Sequence, residues 1–192
     1  VVSMISNGGY DSPAHNDCQK ADGNFNNDGV INVLDIIQMI NVILGNTVSG
    51  NTSPSTESIA NIDISNFNDK MVITFSSEED ILGIQINSNF NNSSAKLIEN
   101  SEKEFISNEN VILSYSLNNN PFNDIFKIEI ENSGNLDIND LHIVVSDKNG
   151  NSMDLVRSED GNIYNSGGFK FELGNTYPNP FNPTTEINFS LP

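Results

Sequence analysis

From Ile59 onward one pattern repeats, and it leaves few folds open. Apolar residues stand two apart in short runs: Ile59-Ala60-Asn61-Ile62-Asp63-Ile64, Met71-Val72-Ile73-Thr74-Phe75, Ile84-Gln85-Ile86 and Val111-Ile112-Leu113-Ser114-Tyr115-Ser116-Leu117. Phe126-Lys127-Ile128-Glu129-Ile130, Leu141-His142-Ile143-Val144-Val145 and a weaker Met153-Asp154-Leu155 follow. Alternation with a period of two means a strand with one buried and one wet face. The runs recur about every ten residues with Asn, Gly, Asp and Ser between them, the mark of an antiparallel sandwich or jelly roll. The expected fold is therefore mainly β, with a sandwich over 59–165. Asn149-Gly150 reads as a type I′ hairpin turn, in which both central residues take positive φ.

Composition narrows the partners. Eight Lys and Arg stand against 26 Asp and Glu, a formal net charge of −18. That balance disfavours nucleic acid and anionic membrane, both of which need a basic face, and favours cations. No apolar run is long enough to span a bilayer. Asn makes up roughly one residue in six, and the whole reads as an acidic, amide-rich extracellular β protein. The lone Cys18 has no intramolecular disulfide partner. Val1 opens the chain without an initiator Met or a signal-peptide pattern, as an interior or processed piece would.

Ahead of the strands the chain changes character. Residues 1–21 read as irregular, 22–45 as an acidic loop and a short apolar helix, and 46–58 (NTVSGNTSPSTES after Gly45) as a polar linker. The loop carries the strongest chemical signal. Counting from Asn24, oxygen-bearing side chains fall at positions 1, 3, 5, 9 and 12 (Asn24, Asn26, Asp28, Asn32, Asp35), and Gly29 falls at 6. This is the EF-hand calcium spacing, with Asp for Glu at the end. Calcium takes six to eight hard oxygens. Asn24, Asn26 and Asp28 supply side-chain oxygens, Val30 its backbone carbonyl, Asn32 a water-mediated contact, and Asp35 closes the shell. A register from Asp22 fails, because it puts Asn27 where Gly is needed and Val33 at the closing position. With only Asp28 and Asp35 charged, the expected affinity lies in the extracellular range.

The helix expected next, Val33 to Leu44, has Asn32 as N-cap and Gly45 beyond its C-terminus. Its apolar residues cover nearly every face. Ile36, Ile37, Ile40, Ile43 and Leu44 are thus expected to bury against the sandwich or another subunit.

Asn24 to Asp35 with the following IIQMINVILG resembles one repeat of a type I dockerin, with Asn for the family's opening Asp. Dockerins carry two such repeats. One is visible here, which leaves Ile31, the residue that pairs such loops, without a second loop to meet. Ile59 to Val156 resembles a cohesin-like domain on Ile81-Leu82-Gly83-Ile84-Gln85-Ile86, Val111 to Leu117 and Leu141 to Asn151. That likeness implies a jelly roll of about nine strands used for binding. Tyr177-Pro-Asn-Pro-Phe-Asn-Pro183 through Pro192 resembles the opening of the C-terminal sorting domain of type IX secretion substrates, which implies export to the cell surface or beyond. Residues 166–192 then form an extended tail, and Thr184 to Leu191 alternates as a strand in need of a sheet.

Nothing points to catalysis. No nucleophile, zinc or phosphate-loop motif is present. His15 and His142 are the only imidazoles, and His142 sits in an alternating strand. The carboxylates at Glu78-Glu79-Asp80 and at Asp137 and Asp140 read as solvated turns. Two functions follow from this reading. One is a non-catalytic, calcium-stabilised binding or structural module of a secreted protein. The other is a subunit that assembles outside the cell into a filament or layer, joined through Thr184 to Leu191.

Overall fold

A computed structural model describes residues 1–7, 12–46, 58–67, 70–88, 95–98, 102–108, 110–131 and 141–157, and the backbone of 163–164, 172–173 and 189–190. Among the described residues three helices precede the strands: α1 (Val2–Ser6), α2 (Asp17–Gly23) and α3 (Val33–Ile43). The strands are β1 (Ile59–Phe67), β2 (Lys70–Ser76), β3 (Ile81–Ser88), β4 (Ala95–Ile98), β5 (Glu104–Ser107) and β6 (Val111–Tyr115). Then come β7 (Ile125–Glu131), β8 (Leu141–Asp147), β9 (Asp154–Arg157), β10 (Ile163–Tyr164), β11 (Glu172–Leu173) and β12 (Phe189–Ser190).

Two sheets carry the fold. One has the order β10-β9-β1-β2-β7-β4, the other β5-β6-β3-β8. Strands β1 to β10 fall within the 59–165 range of the expected sandwich, and each alternating run between Ile59 and Leu155 coincides with a strand, although Ser116-Leu117 and Met153 lie just outside β6 and β9. Among the described residues pairing is antiparallel with one exception: β1 and β9 run parallel, Ile59 beside Asp154 through Ile62 beside Arg157. The wholly antiparallel expectation is corrected there, because β9 enters the sheet after crossing over from β8 in the other one.

The alternating residues meet between the sheets. Met71, Ile73 and Phe75 of β2 lie opposite Ile130, Ile128 and Phe126 of β7, and all six are buried. Phe75 stacks on Phe126 with ring centroids 5.1 Å apart. The outward positions of this sheet mix exposed apolar residues, Ile59, Phe67, Ile98 and Ile125, with charged ones that pair, Lys70 with Glu129 and Lys96 with Glu131 at 2.5 Å.

The other sheet is covered on both faces. Ile84, Ile86, Ile112, Ile143 and Val145 face the inner core. Leu82, Val111, Leu113, Tyr115 and Val144 form a second cluster with Ile5, Ile31, Val33, Leu34, Ile36, Ile37 and Ile40. Helix α3 therefore lies on β8, β3 and β6, which makes three layers. Burial on both faces explains why β3, β6 and β8 are buried along almost their whole length. Gly83 lets the helix sit close: a Cβ there would lie 2.6 Å from Val33 Cγ2 and 3.0 Å from Ile37 Cγ1. A register shift between Ile81 and Gly83 turns both Leu82 and Gly83 toward the helix.

Several expectations change. Residues 1–21 are not wholly irregular. Helix α2 forms behind a capping box, the Gln19 N–H donating to Asn16 Oδ1 and the Asn16 N–H to Gln19 Oε1. Helix α1 forms because Ile5 buries in the second cluster. Ile31 needs no second loop, for it buries at 2% exposure among Ile5 and its neighbours. Of the helix residues expected to bury against the sandwich or another subunit, Ile36, Ile37 and Ile40 bury on the sandwich, whereas Ile43 is 75% and Leu44 48% exposed within the single chain, because the sheet covers one flank of α3 only. The hairpin after β8 is not type I′: Gly150 alone takes positive φ, at 82°. Gly150 N–H donates to Asp147 O and the Asp147 N–H to Asn151 O, a type I turn closed by a glycine bulge. Of Thr184 to Leu191 only Phe189 and Ser190 are described. They pair with Glu172 and Leu173 of the same chain in a separate two-stranded sheet. Asp137 and Asp140 lie outside the described residues.

Candidate metal centre

Helix α2, a loop from Asn24 and helix α3 form one helix–loop–helix unit. The sequence dictates the loop locally. Asn27 and Gly29 both take positive φ, 59° and 87°, so the chain reverses tightly between them. Asn and Gly are the residues that tolerate this backbone. Side-chain oxygens then turn inward onto backbone amides. The Asp28 N–H lies 3.1 Å from Asn24 Oδ1 and 3.0 Å from Asn26 Oδ1. Asp28 Oδ1 accepts from the Val30 N–H at 2.8 Å, and Asp28 Oδ2 from Asn26 Nδ2 at 2.8 Å.

The far end of the loop is the first turn of α3. Asn32 is the N-cap as expected, its Oδ1 accepting the Leu34 N–H at 2.7 Å. Asp35 completes a capping box by accepting the Asn32 N–H at 2.9 Å. Its other oxygen reaches back across the loop to the Asn26 N–H at 3.2 Å. Asp35 thus joins the third, ninth and twelfth loop positions in one network. The structure brings Asn24, Asn26, Asp28, Val30, Asn32 and Asp35 together around one turn.

Asp35 is fully buried. Burial pushes its carboxyl up to about 6, partly offset by the Asn32 and Asn26 amides, and the negative charge of Asp28 raises it further. The charged neighbour acting on it therefore has its own sign. A buried carboxylate in that position is costly, and a divalent cation between it and Asp28 would relieve both. Two amide oxygens, two carboxylates and a carbonyl, with Asn32 acting through water, make a hard, all-oxygen donor set, the kind calcium takes and zinc does not favour. Among the described residues no group of three or more His, Cys, Asp or Glu side chains is placed to hold a metal ion, so this loop offers two carboxylates and relies on amide and carbonyl oxygens for the rest.

Sequence reasoning missed the polar residues that hold this unit on the sandwich. The Val33 N–H donates to Gln85 Oε1 at 3.0 Å. Gln38 Nε2 donates to Gly150 O at 3.2 Å, and Asn41 Nδ2 to Lys148 O at 3.0 Å. The signal available was a polar side chain inside an apolar run, as in ILGIQIN and DIIQMIN. Cys18 is a free thiol, exposed on α2. His142 is half-buried, and its burial holds the imidazole below its ordinary range.

No family model, curated protein or solved structure matches this chain. Among the described residues no helix is long and apolar enough to cross a membrane.

Proposed function

We propose that this chain is a non-catalytic, calcium-stabilised binding and structural module of an extracellular or surface-attached bacterial protein. The observation that carries it is the buried Asp35 carboxylate, set at the closing position of an all-oxygen loop with Asp28 as its charged neighbour. In this reading Asn24, Asn26, Asp28, the Val30 carbonyl, Asn32 through water, and Asp35 hold the ion. The helix–loop–helix unit then corresponds to the dockerin-like repeat. The two-sheet architecture of β1 to β10 is compatible with the cohesin-like jelly roll of the resemblance, and the Tyr177 to Pro192 segment is a type IX sorting signal. The filament reading draws no support from the described part of the terminal strand, since Phe189 and Ser190 pair within their own chain.

Calcium at a hundred times its Kd stabilises a one-site protein by about 2.7 kcal/mol. For a chain of this size that raises Tm by roughly 5–10 °C. We expect that rise with calcium, a much smaller one with magnesium, and none for Asp35→Asn. A Tm that calcium does not move in the intact chain overturns the proposal.

A further inference from the structure

Gln85 sits where an apolar side chain is expected. It lies on the helix-facing side of β3, beside Leu113 of β6 and Val144 of β8, both of which belong to the apolar cluster under α3. It is 4% exposed. A buried amide there is costly unless its hydrogen bonds are made, and both ends are engaged. Oε1 accepts the Val33 N–H at 3.0 Å, and Nε2 donates to Asn87 Oδ1 at 3.0 Å.

Val33 is the first residue of α3, and its N–H is one that no helix can satisfy internally. Water ordinarily takes it. Here the position is pressed onto the sheet, so an acceptor must come from the sandwich, 52 residues away. Three oxygens therefore finish this helix end: Asn32 Oδ1, Asp35 Oδ2 and Gln85 Oε1. Two belong to the loop and one to the sandwich.

We propose that Gln85 is a positioning residue that couples calcium loading of the loop to docking of the helix–loop–helix unit on the sandwich; this rests on the loop's being a calcium site. The coupling runs through the first turn of α3. Asp35 closes the calcium shell only when that turn is formed, and the turn can dock without an orphaned amide only over Gln85. The state that takes calcium is then the state that is docked. Apparent affinity scales with the population of that state, and the coupling is reciprocal: calcium must tighten docking as much as docking tightens calcium.

The test is calcium titration by calorimetry on the full chain, with hydrogen exchange read at the Val33 amide. Gln85→Met keeps the volume and removes the acceptor, and should weaken calcium binding about tenfold. Gln85→Glu keeps an acceptor at a helix N-terminus and should restore the Kd to within about threefold of the parent chain. A residue that merely packs would lower Tm equally with and without calcium and leave Kd unchanged. In the unmutated chain calcium should slow Val33 exchange at least tenfold, a measurement that needs no variant to fold. Calcium binding in the parent chain with an unaltered Kd for Gln85→Met, or with Val33 exchange indifferent to calcium, overturns the coupling while the calcium site stands. No calcium heat in the parent chain overturns the site itself, and the coupling with it.

Discussion

Asp35 does two jobs that pull against each other in the metal-free chain. As the capping-box residue of α3 it accepts two backbone N–H bonds, which favour its ionised form. As a buried carboxyl near Asp28 it resists ionisation, and its pKa rises from 3.8 to about 6. A carboxyl whose folded pKa lies above its unfolded one binds more protons in the folded state between those values. Its contribution to stability is therefore fully present below about 3.8, is lost as pH rises toward 6, and is gone above it. Calcium needs the carboxylate, so its effect runs the other way and fades as pH falls below about 6. Many other carboxyls titrate nearby, so the diagnostic quantity is the difference between the parent chain and Asp35→Asn. In chelator, the parent's Tm advantage over Asp35→Asn should shrink from pH 4 to pH 6. With calcium, it should grow over the same interval. Parallel Tm curves for the two proteins in both buffers would show that Asp35 is neither buried nor a ligand.

At the scale of elements, legibility follows from how many faces a segment buries. Strands β2 and β7 bury one face, so their sequences alternate and could be read directly. Strand β3 buries both, and its apolar run conceals which residues face the helix. Gln85 and Gly83 are the two breaks in that run, and both touch α3. The four-residue strands β4 and β5 are too short for alternation to rise above chance. The Asn32 cap and the tight turn at Gly29 were legible because capping and turn chemistry are local rules. Helix α1 was not, since its one buried residue, Ile5, is explained only by what it packs against. The exposed Val42, Ile43 and Leu44 show the same limit in reverse, because an apolar stretch does not announce where its cover ends. Gly83 gives the sharpest test of the docked geometry. A Cβ 2.6 Å from Val33 Cγ2 meets a β-branched side chain with little rotameric freedom on a helix. Gly83→Ala should therefore lift α3 and cost about 1–3 kcal/mol. Hydrogen exchange should rise in α3 and stay unchanged in β2 and β7. An unaltered Tm would mean the helix does not rest on β3 as described.

For the whole molecule, the helix–loop–helix unit is the third layer that the open face of β5-β6-β3-β8 requires. Buried aliphatic side chains contribute about 1.5–3 kcal/mol each. Val33, Leu34, Ile36, Ile37 and Ile40 all bury in this contact, and Leu82, Leu113, Tyr115 and Val144 receive them. Side-chain bonds from Gln38 and Asn41 to the hairpin after β8 fix the orientation. Such a contact should hold without the covalent link between the two parts. An engineered protease site within the polar 46–58 segment makes this measurable. After cleavage in calcium, the two fragments should co-elute in gel filtration at tens of micromolar. Joining the two parts in one chain supplies an effective concentration on the order of millimolar. Its loss should leave a dissociation constant that dilution can reach. Chelation should then release the helical fragment at a concentration where calcium retained it, because the first turn of α3 belongs both to the loop and to the interface. Immediate separation in calcium would show that the third layer is held by the chain's continuity alone. Retention that chelator does not weaken would show that the interface is indifferent to the loop.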